Sequence, residues 1–232
     1  MSHLLSDTAR RGDVDSTAER YLEWEAWRRE ARWHPAMLPS FRVTGLEHLL
    51  DAHRHGGVLV ATTHHGPYEG ASRSVRAAGG PRGHVSVHPR CFVARPRPAD
   101  RQYRAIVSRW NAVFDASVGV RGMTDLVKTG QVVLVAVDMP GSAEVTFAGR
   151  QILVASGVAA IATITGAPII QRTHEYDGAS WTARFHPPVH ASDFADTRSV
   201  MQHLMTGFEA PILAIPEALL DPLGRWGVPR LL

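Results

Sequence analysis

The chain has 232 residues, 44% hydrophobic and 20% charged, which is ordinary for a globular protein and ample for one large α/β domain with a real core. Its formal net charge of +3 gives no case for nucleic acid as a partner, and no stretch approaches the ~18 uninterrupted apolar residues of a membrane span. Cys91 is the sole cysteine, so an intrachain disulfide is excluded and a reducing, cytoplasmic compartment is acceptable.

Lys128 is the only lysine, so almost all positive charge is arginine. That usage suits bidentate recognition of carboxylates and phosphates, or reflects no more than codon composition. The first residues, Met1 to Asp7, lack the basic-then-apolar layout of a signal peptide. Ser16 to Trp33 reads as a helix, with Ser16 as N-cap and Glu19 completing a capping box. Tyr21, Trp24 and Trp27 form a stripe beside Arg20, Arg28, Arg29 and Arg32. Such a helix over 16–33 either packs on its own domain or makes a peripheral membrane contact on the inner face. Residues 1–37 are thus set apart as tail and amphipathic helix from an α/β domain over 38–232.

Phe41 to Gly45 reads as a strand and turn, Leu46 to His53 as a helix, and Val58 to Ala61 as a buried strand. Glu69 to Ala78 is predicted helical, His84 to His88 a strand, and Asp100 to Phe114 a helix capped by Asp100. Met123 to Lys128 is a short helix before a second apolar strand, Gln131 to Val137, followed by a turn at Pro140-Gly141. Ser156 to Thr165 is a small-residue helix and Pro168 to Ile170 a third core strand. Asp177-Gly178 joins a hairpin between Gln171–Tyr176 and Trp181–His186, and Asp196 to Ala210 is helical, with more helix after Pro216. The pattern implies one α/β domain with a mixed, mostly parallel central sheet flanked by helices.

The chemistry concentrates at Thr62-Thr63-His64-His65-Gly66-Pro67-Tyr68-Glu69, where a buried strand runs into a Gly-Pro turn. A histidine at a strand end faces a cleft, and a carboxylate five positions on can fix its tautomer and stabilise its imidazolium. His65 is also four residues before Glu69, and a strand's period of two would aim it opposite to His64. The second apolar strand ends on Asp138, and the two strand ends are expected to converge on one crevice.

Several ordered blocks carry a resemblance. Val43-x-Gly45-Leu46-Glu47-His48-Leu49 precedes the first strand, and His64-x-Gly66-x-Tyr68-Glu69 follows it. Gly119-Val120-Arg121 comes next, then Leu126 to Gln131 before the strand ending on Asp138, then Phe147 to Arg150, Gly157 to Ala159, Thr165 to Pro168, His186-Pro187-Pro188, and Phe208-Glu209 through Pro216-Glu217. This series resembles the lysophospholipid acyltransferase superfamily with its His-x4-Asp/Glu box. It is most similar to the bacterial lipid A late acyltransferase branch, which includes phosphatidylinositol mannoside acyltransferase. The resemblance covers about residues 38–220 and implies a glycerol-3-phosphate-acyltransferase-like fold. Three differences stand out: no N-terminal membrane helix, an ending from Leu220 to Trp226 unlike the family's, and Met139-Pro140-Gly141 where the family has a second acid. They point toward a small or carrier-bound acceptor rather than a membrane lipid.

By this resemblance His64 and Glu69 are the catalytic pair: His64 deprotonates a hydroxyl or amine, and Glu69 holds the imidazole. Family spacing selects His64 over His65. The acceptor attacks a thioester on coenzyme A or an acyl carrier protein, which serve as cosubstrates, with no other cofactor and no metal. Backbone amides around Gly66 would hold the oxyanion, and Tyr68, Arg121 and Asp138 would bind substrate. An arginine-rich surface would steer an acidic carrier. The rival readings are a metal-dependent hydrolase using His64, His65, Glu69 and His174, a thioesterase, and a non-catalytic partner protein of the same fold.

Overall fold

The computed structural model describes residues 1–5 and 7–222; the Leu223 to Trp226 part of the terminal comparison lies outside the described residues. The chain begins with α1 (Ser2–Leu5) and α2 (Val14–Trp33). Ser16 does not cap α2. It lies in the first turn and its Oγ donates to the Asp13 carbonyl at 3.1 Å. The tryptophans turn inward: Trp24 and Trp27 meet edge to face at 5.0 Å, Trp24 also meets Trp181 at 5.8 Å, and Trp27 packs with Ala31, Leu38 and Ile106. The aromatic face is therefore used within the domain. Leu22 and Trp33 are the large apolar side chains that α2 leaves exposed.

The elements that follow are β1 (Phe41–Thr44), α3 (Leu46–Arg54), β2 (Val58–Thr62), α4 (Tyr68–Ala77), β3 (His84–Val87), α5 (Pro98–Ser108), β4 (Ala112–Asp115), α6 (Gly119–Lys128) and β5 (Val132–Ala136). A hairpin of β6 (Pro140–Phe147) and β7 (Arg150–Val154) leads to α7 (Gly157–Thr165), β8 (Ile169–Tyr176), β9 (Trp181–Phe185) and α8 (Thr197–Ala214). Seven strands form one sheet in the order β1-β9-β8-β2-β5-β3-β4, parallel throughout except between β8 and β9. The expected α/β architecture with a mostly parallel sheet is the observed one. Among the described residues no helix is long and apolar enough to cross a membrane.

Strand periodicity sorts the core. Leu59, Ala61, Val133, Val135 and Ile169 face α7 and α8, joined there by Val158, Ile161, Met201, Leu204 and Phe208. Val58, Val60, Val132 and Ile170 face the other way, onto Leu49 of α3 and Val75 of α4. Strands buried on both faces read as continuous apolar runs, which is why β2 and β5 stand out in the sequence.

Two segments differ from expectation. The helix predicted to reach Phe114 stops at Ser108, and 112–115 forms edge strand β4 against β3. Four residues are too short to show a period, so parallel pairing rather than local preference decides them. Pro140-Gly141 is no turn; it opens β6, and the hairpin reverses at Ala148 and Gly149, with φ of 52° and 79°.

The turn after β2 is held from both ends of the chain. Leu220 donates its amide to the His64 carbonyl at 2.9 Å, Gly66 donates to the Ala218 carbonyl at 3.0 Å, and His65 Nε2 donates to the Ile215 carbonyl at 3.0 Å. From α2, buried Arg28 reaches the same Ala218 carbonyl at 2.8 Å. His174 Nδ1 donates to the His65 carbonyl at 2.8 Å. Burial keeps both imidazoles neutral: His65 is pushed down to about 4, and His174 well below its ordinary value, with the Arg172 charge adding to it. In the unfolded chain each protonates near pH 6.5. Their contribution is therefore full above pH ~6.5 and is lost as pH falls toward ~4, by about 3 kcal/mol for His65. The unfolding midpoint should drop between pH 7 and pH 5, with a shallower slope in His65→Gln; an unchanged slope in the variant would contradict this assignment.

Candidate functional site

The site lies at the C-terminal ends of the parallel strands, where open α/β sheets form their crevices. The β2–β5 register pairs Thr62 with Ala136, and His64 and Asp138 each lie two residues beyond that pair. Val137 extends the ladder by donating to the Thr62 carbonyl at 2.9 Å. The register thus delivers the two side chains next to each other.

Asp138 engages His64 with both oxygens: Oδ1 accepts from Nδ1 at 2.8 Å and Oδ2 accepts from the backbone amide at 2.8 Å. The carboxylate is fully buried, while the imidazole retains 17% exposure. Facing a carboxylate, Nδ1 carries the hydrogen, which leaves Nε2 as the basic nitrogen. Two such donors satisfy a charge that would be costly to bury alone, each bond to a charged group being worth roughly 1.5–3 kcal/mol. The Tyr68 ring stands edge-on to the imidazole at 4.9 Å.

Glu69 is placed differently from expectation. It is the second residue of α4, and its Oε1 faces Arg32 Nη2 at 3.5 Å rather than His64. Among the described residues its Oε2 is buried without a hydrogen-bond partner, and the Tyr68 hydroxyl is buried beside the Arg32 guanidinium. Burial, with the Glu69 charge next to it, raises the Tyr68 phenol well above its usual value, so Tyr68 stays a neutral donor. Arg28 lies 6.0 Å over the Tyr68 ring and Arg32 lies 5.2 Å over the Tyr103 ring. Sequence reasoning treated these arginines as a charged flank. Their i, i+4 spacing from Trp24 was the available signal that Trp24, Arg28 and Arg32 share one inward face.

The remaining residues divide. Gly66 has φ of 67°, and a Cβ there would come 2.6 Å from the Trp181 ring; its amide is spent on Ala218 and does not serve an oxyanion. The first-turn amides of α4, at Tyr68 and Glu69, have no side-chain cap, and the Tyr68 ring of the same turn contacts His64. Arg121 is exposed in the first turn of α6 at the same edge of the sheet and makes no side-chain hydrogen bond or ion pair among the described residues. His65 is buried and donates to a backbone carbonyl, so it does not face the crevice. Among the described residues no three His, Cys, Asp or Glu groups are placed to hold a metal ion, and the set proposed for a hydrolase, His64, His65, Glu69 and His174, does not converge.

This arrangement has known relatives. Residues 25–226 match the family model described as bacterial lipid A biosynthesis acyltransferase. The fold is similar to that of the 1-acyl-sn-glycerophosphate (LPA) acyltransferase PlsC from Thermotoga maritima, at 15% identity and a TM-score of 0.51, covering 85% of this chain and 79% of that one. No curated protein matches the chain. With the model spanning most of its length and a mostly parallel sheet presenting a histidine at its C-terminal edge, the chain belongs to the bacterial lipid A biosynthesis acyltransferase family and is an acyltransferase.

Proposed function

We propose that His64 is the general base of acyl transfer from a thioester to a hydroxyl or amine, and that Asp138 is the carboxylate that orients it. The observation that carries this reading is the buried Asp138 carboxylate on Nδ1 of a partly exposed imidazole. Nε2 takes the proton of the acceptor as its oxygen or nitrogen attacks the thioester carbonyl. The tetrahedral oxyanion is met by the first-turn amides of α4, whose helix dipole favours negative charge. The C–S bond then breaks, and the departing thiolate takes the proton back from Nε2. Asp138 stabilises the imidazolium in between, without itself taking the proton. Glu69 acts as a positioning residue: with Arg32 it fixes α4 against α2 and so sets the Tyr68 ring on His64.

Of the two donors left open by the sequence, we favour an acidic acyl carrier protein over free acyl-coenzyme A. The segment 89–110, after β3 and through α5, holds six arginines against the single acid Asp100, a local +5 in a chain of net +3. Arg95, Arg97 and Arg101 are exposed and make no side-chain hydrogen bond or ion pair among the described residues, and exposed Val93 lies just before them. α5 reaches the site through Gln102 Nε2, which donates to the Arg32 carbonyl at 2.8 Å. A basic surface beside the crevice raises the encounter rate with an acidic partner. The acceptor in this reading is a small or carrier-bound metabolite bearing a hydroxyl or amine.

Two experiments follow. His64→Ala should lower kcat by about 100- to 10,000-fold. Asp138→Asn, which presents an amide donor to Nδ1 and imposes the wrong tautomer, should lose activity on the same scale, and Glu69→Gln should lose much less. Full activity in Asp138→Asn with loss in Glu69→Gln would return the orienting role to Glu69. In the second, Arg95→Glu/Arg97→Glu/Arg101→Glu should raise KM for acyl carrier protein by about tenfold or more and abolish its salt dependence, while leaving kcat with acyl-pantetheine unchanged. An unchanged KM for the carrier would place its docking elsewhere.

A further inference from the structure

Arg172 lies in the middle of β8 and faces the core. Its side chain is on the same side of the sheet as Ile170 and His174, beneath α4, and the residue is only 5% exposed. Its hydrogen bond is from Nη2 to Thr62 Oγ1 at 3.3 Å, and among the described residues its Nε is buried without a partner and it makes no ion pair. A guanidinium in this position without a countercharge is strongly unfavourable, since one-sided burial of a charge is tolerated only when it is paired.

Beside it is a cavity of about 20 Å³ between β2, β5, β8, β9, α3 and α4, closed by Trp110 and Asn111. Its lining includes Arg172, Arg76, Ser72 and Asn111 among apolar side chains, and none of the lining residues is acidic. A volume of this size accepts one solvent-sized particle. Arg76 stands at the exposed side, its Nη1 donating to the Gly80 carbonyl at 2.6 Å, so a second cation borders the same space. Asn111 is committed to the Val107 carbonyl at 3.0 Å through Nδ2, and the Ser72 hydroxyl makes no hydrogen bond to protein.

We propose that this cavity is a binding site for a small monovalent anion of chloride size, held by Arg172 and Ser72 with Arg76 at its mouth. Water would supply Nε with an acceptor but would leave the buried Arg172 charge without a countercharge. Burial lowers Arg172 to about 10, so it remains a cation at neutral pH and the need for a counterion persists. The ion lies behind the catalytic turn. Thr62, bonded to Arg172, precedes His64 by two residues, and Ser72 follows Glu69 by one helical turn. Occupancy therefore fastens α4 to β8, and through the Arg172–Thr62 hydrogen bond to β2, independently of the reaction assigned to the site.

The test is the thermal unfolding midpoint of the full chain in sodium chloride against sodium gluconate at equal ionic strength. Chloride should raise the midpoint in a saturable way, by roughly 5 °C at a hundredfold excess over its Kd. Arg76→Gln should weaken the response and Arg172→Met should abolish it. Equal midpoints in the two salts, or a full chloride response in Arg172→Met, would overturn the proposal. Should Arg172→Met fail to fold, bromide-soaked crystals of the native chain decide: an anomalous peak beside Arg172 supports the site, and a solvent peak with no anomalous signal means water only and overturns it.

Discussion

The site depends on the in-register parallel pairing of β2 and β5. Neither His64 nor Asp138 has a local reason to meet the other, being 74 residues apart in sequence. The ladder that pairs Thr62 with Ala136 brings both strand ends to the same edge, and the next residues deliver a carboxylate onto an imidazole. Because side chains alternate with a period of two, a slip of one residue in either strand would turn one of them to the opposite face. The apolar runs of β2 and β5 hold that register, buried between Val158 and Ile161 on one side and Leu49 and Val75 on the other. Core packing and the geometry of the candidate site are in this sense one constraint.

A second constraint comes from the chain termini. The turn from His64 to Gly66 is too short to hold itself: its backbone groups are met by Ala218, Leu220 and the His174 side chain, and its His65 side chain donates to the Ile215 carbonyl. Arg28 adds a cation to the same carbonyl, and Arg20 of α2 pairs with Glu217 at 2.6 Å. The N-terminal helix is thereby part of the frame of the site rather than an appendage. Its two arginines one turn apart, Arg28 and Arg32, close over the Tyr68 and Glu69 end of α4.

Much of this was legible in the sequence. The two apolar runs ending on His64 and Asp138 were expected to converge, and the ordered motifs pointed to the acyltransferase family that the family model supports. What the sequence could not supply was the partner of the imidazole. Spacing within one segment suggested Glu69, yet a helix that begins at Tyr68 turns its second residue toward Arg32, and the partner comes from a neighbouring strand through long-range pairing. The same limit hid β4, whose four residues gain their conformation only from β3, and it hid the use of the Gly66 amide, because Ala218 is remote in sequence. The tryptophan stripe was correctly seen as one face of a helix. Whether such a face meets a membrane or its own domain depends on what stands opposite, and here that is Trp181.

The most direct measurement is the tautomer of His64 by long-range nitrogen–proton correlation on histidine-labelled protein, at a pH above the ordinary imidazole range. Comparison with His64→Ala assigns the signal. A proton on Nδ1, shifted downfield by its carboxylate bond and lost in Asp138→Asn, is the result the account predicts. A His64 protonated on Nε2, indifferent to Asp138→Asn, would contradict it.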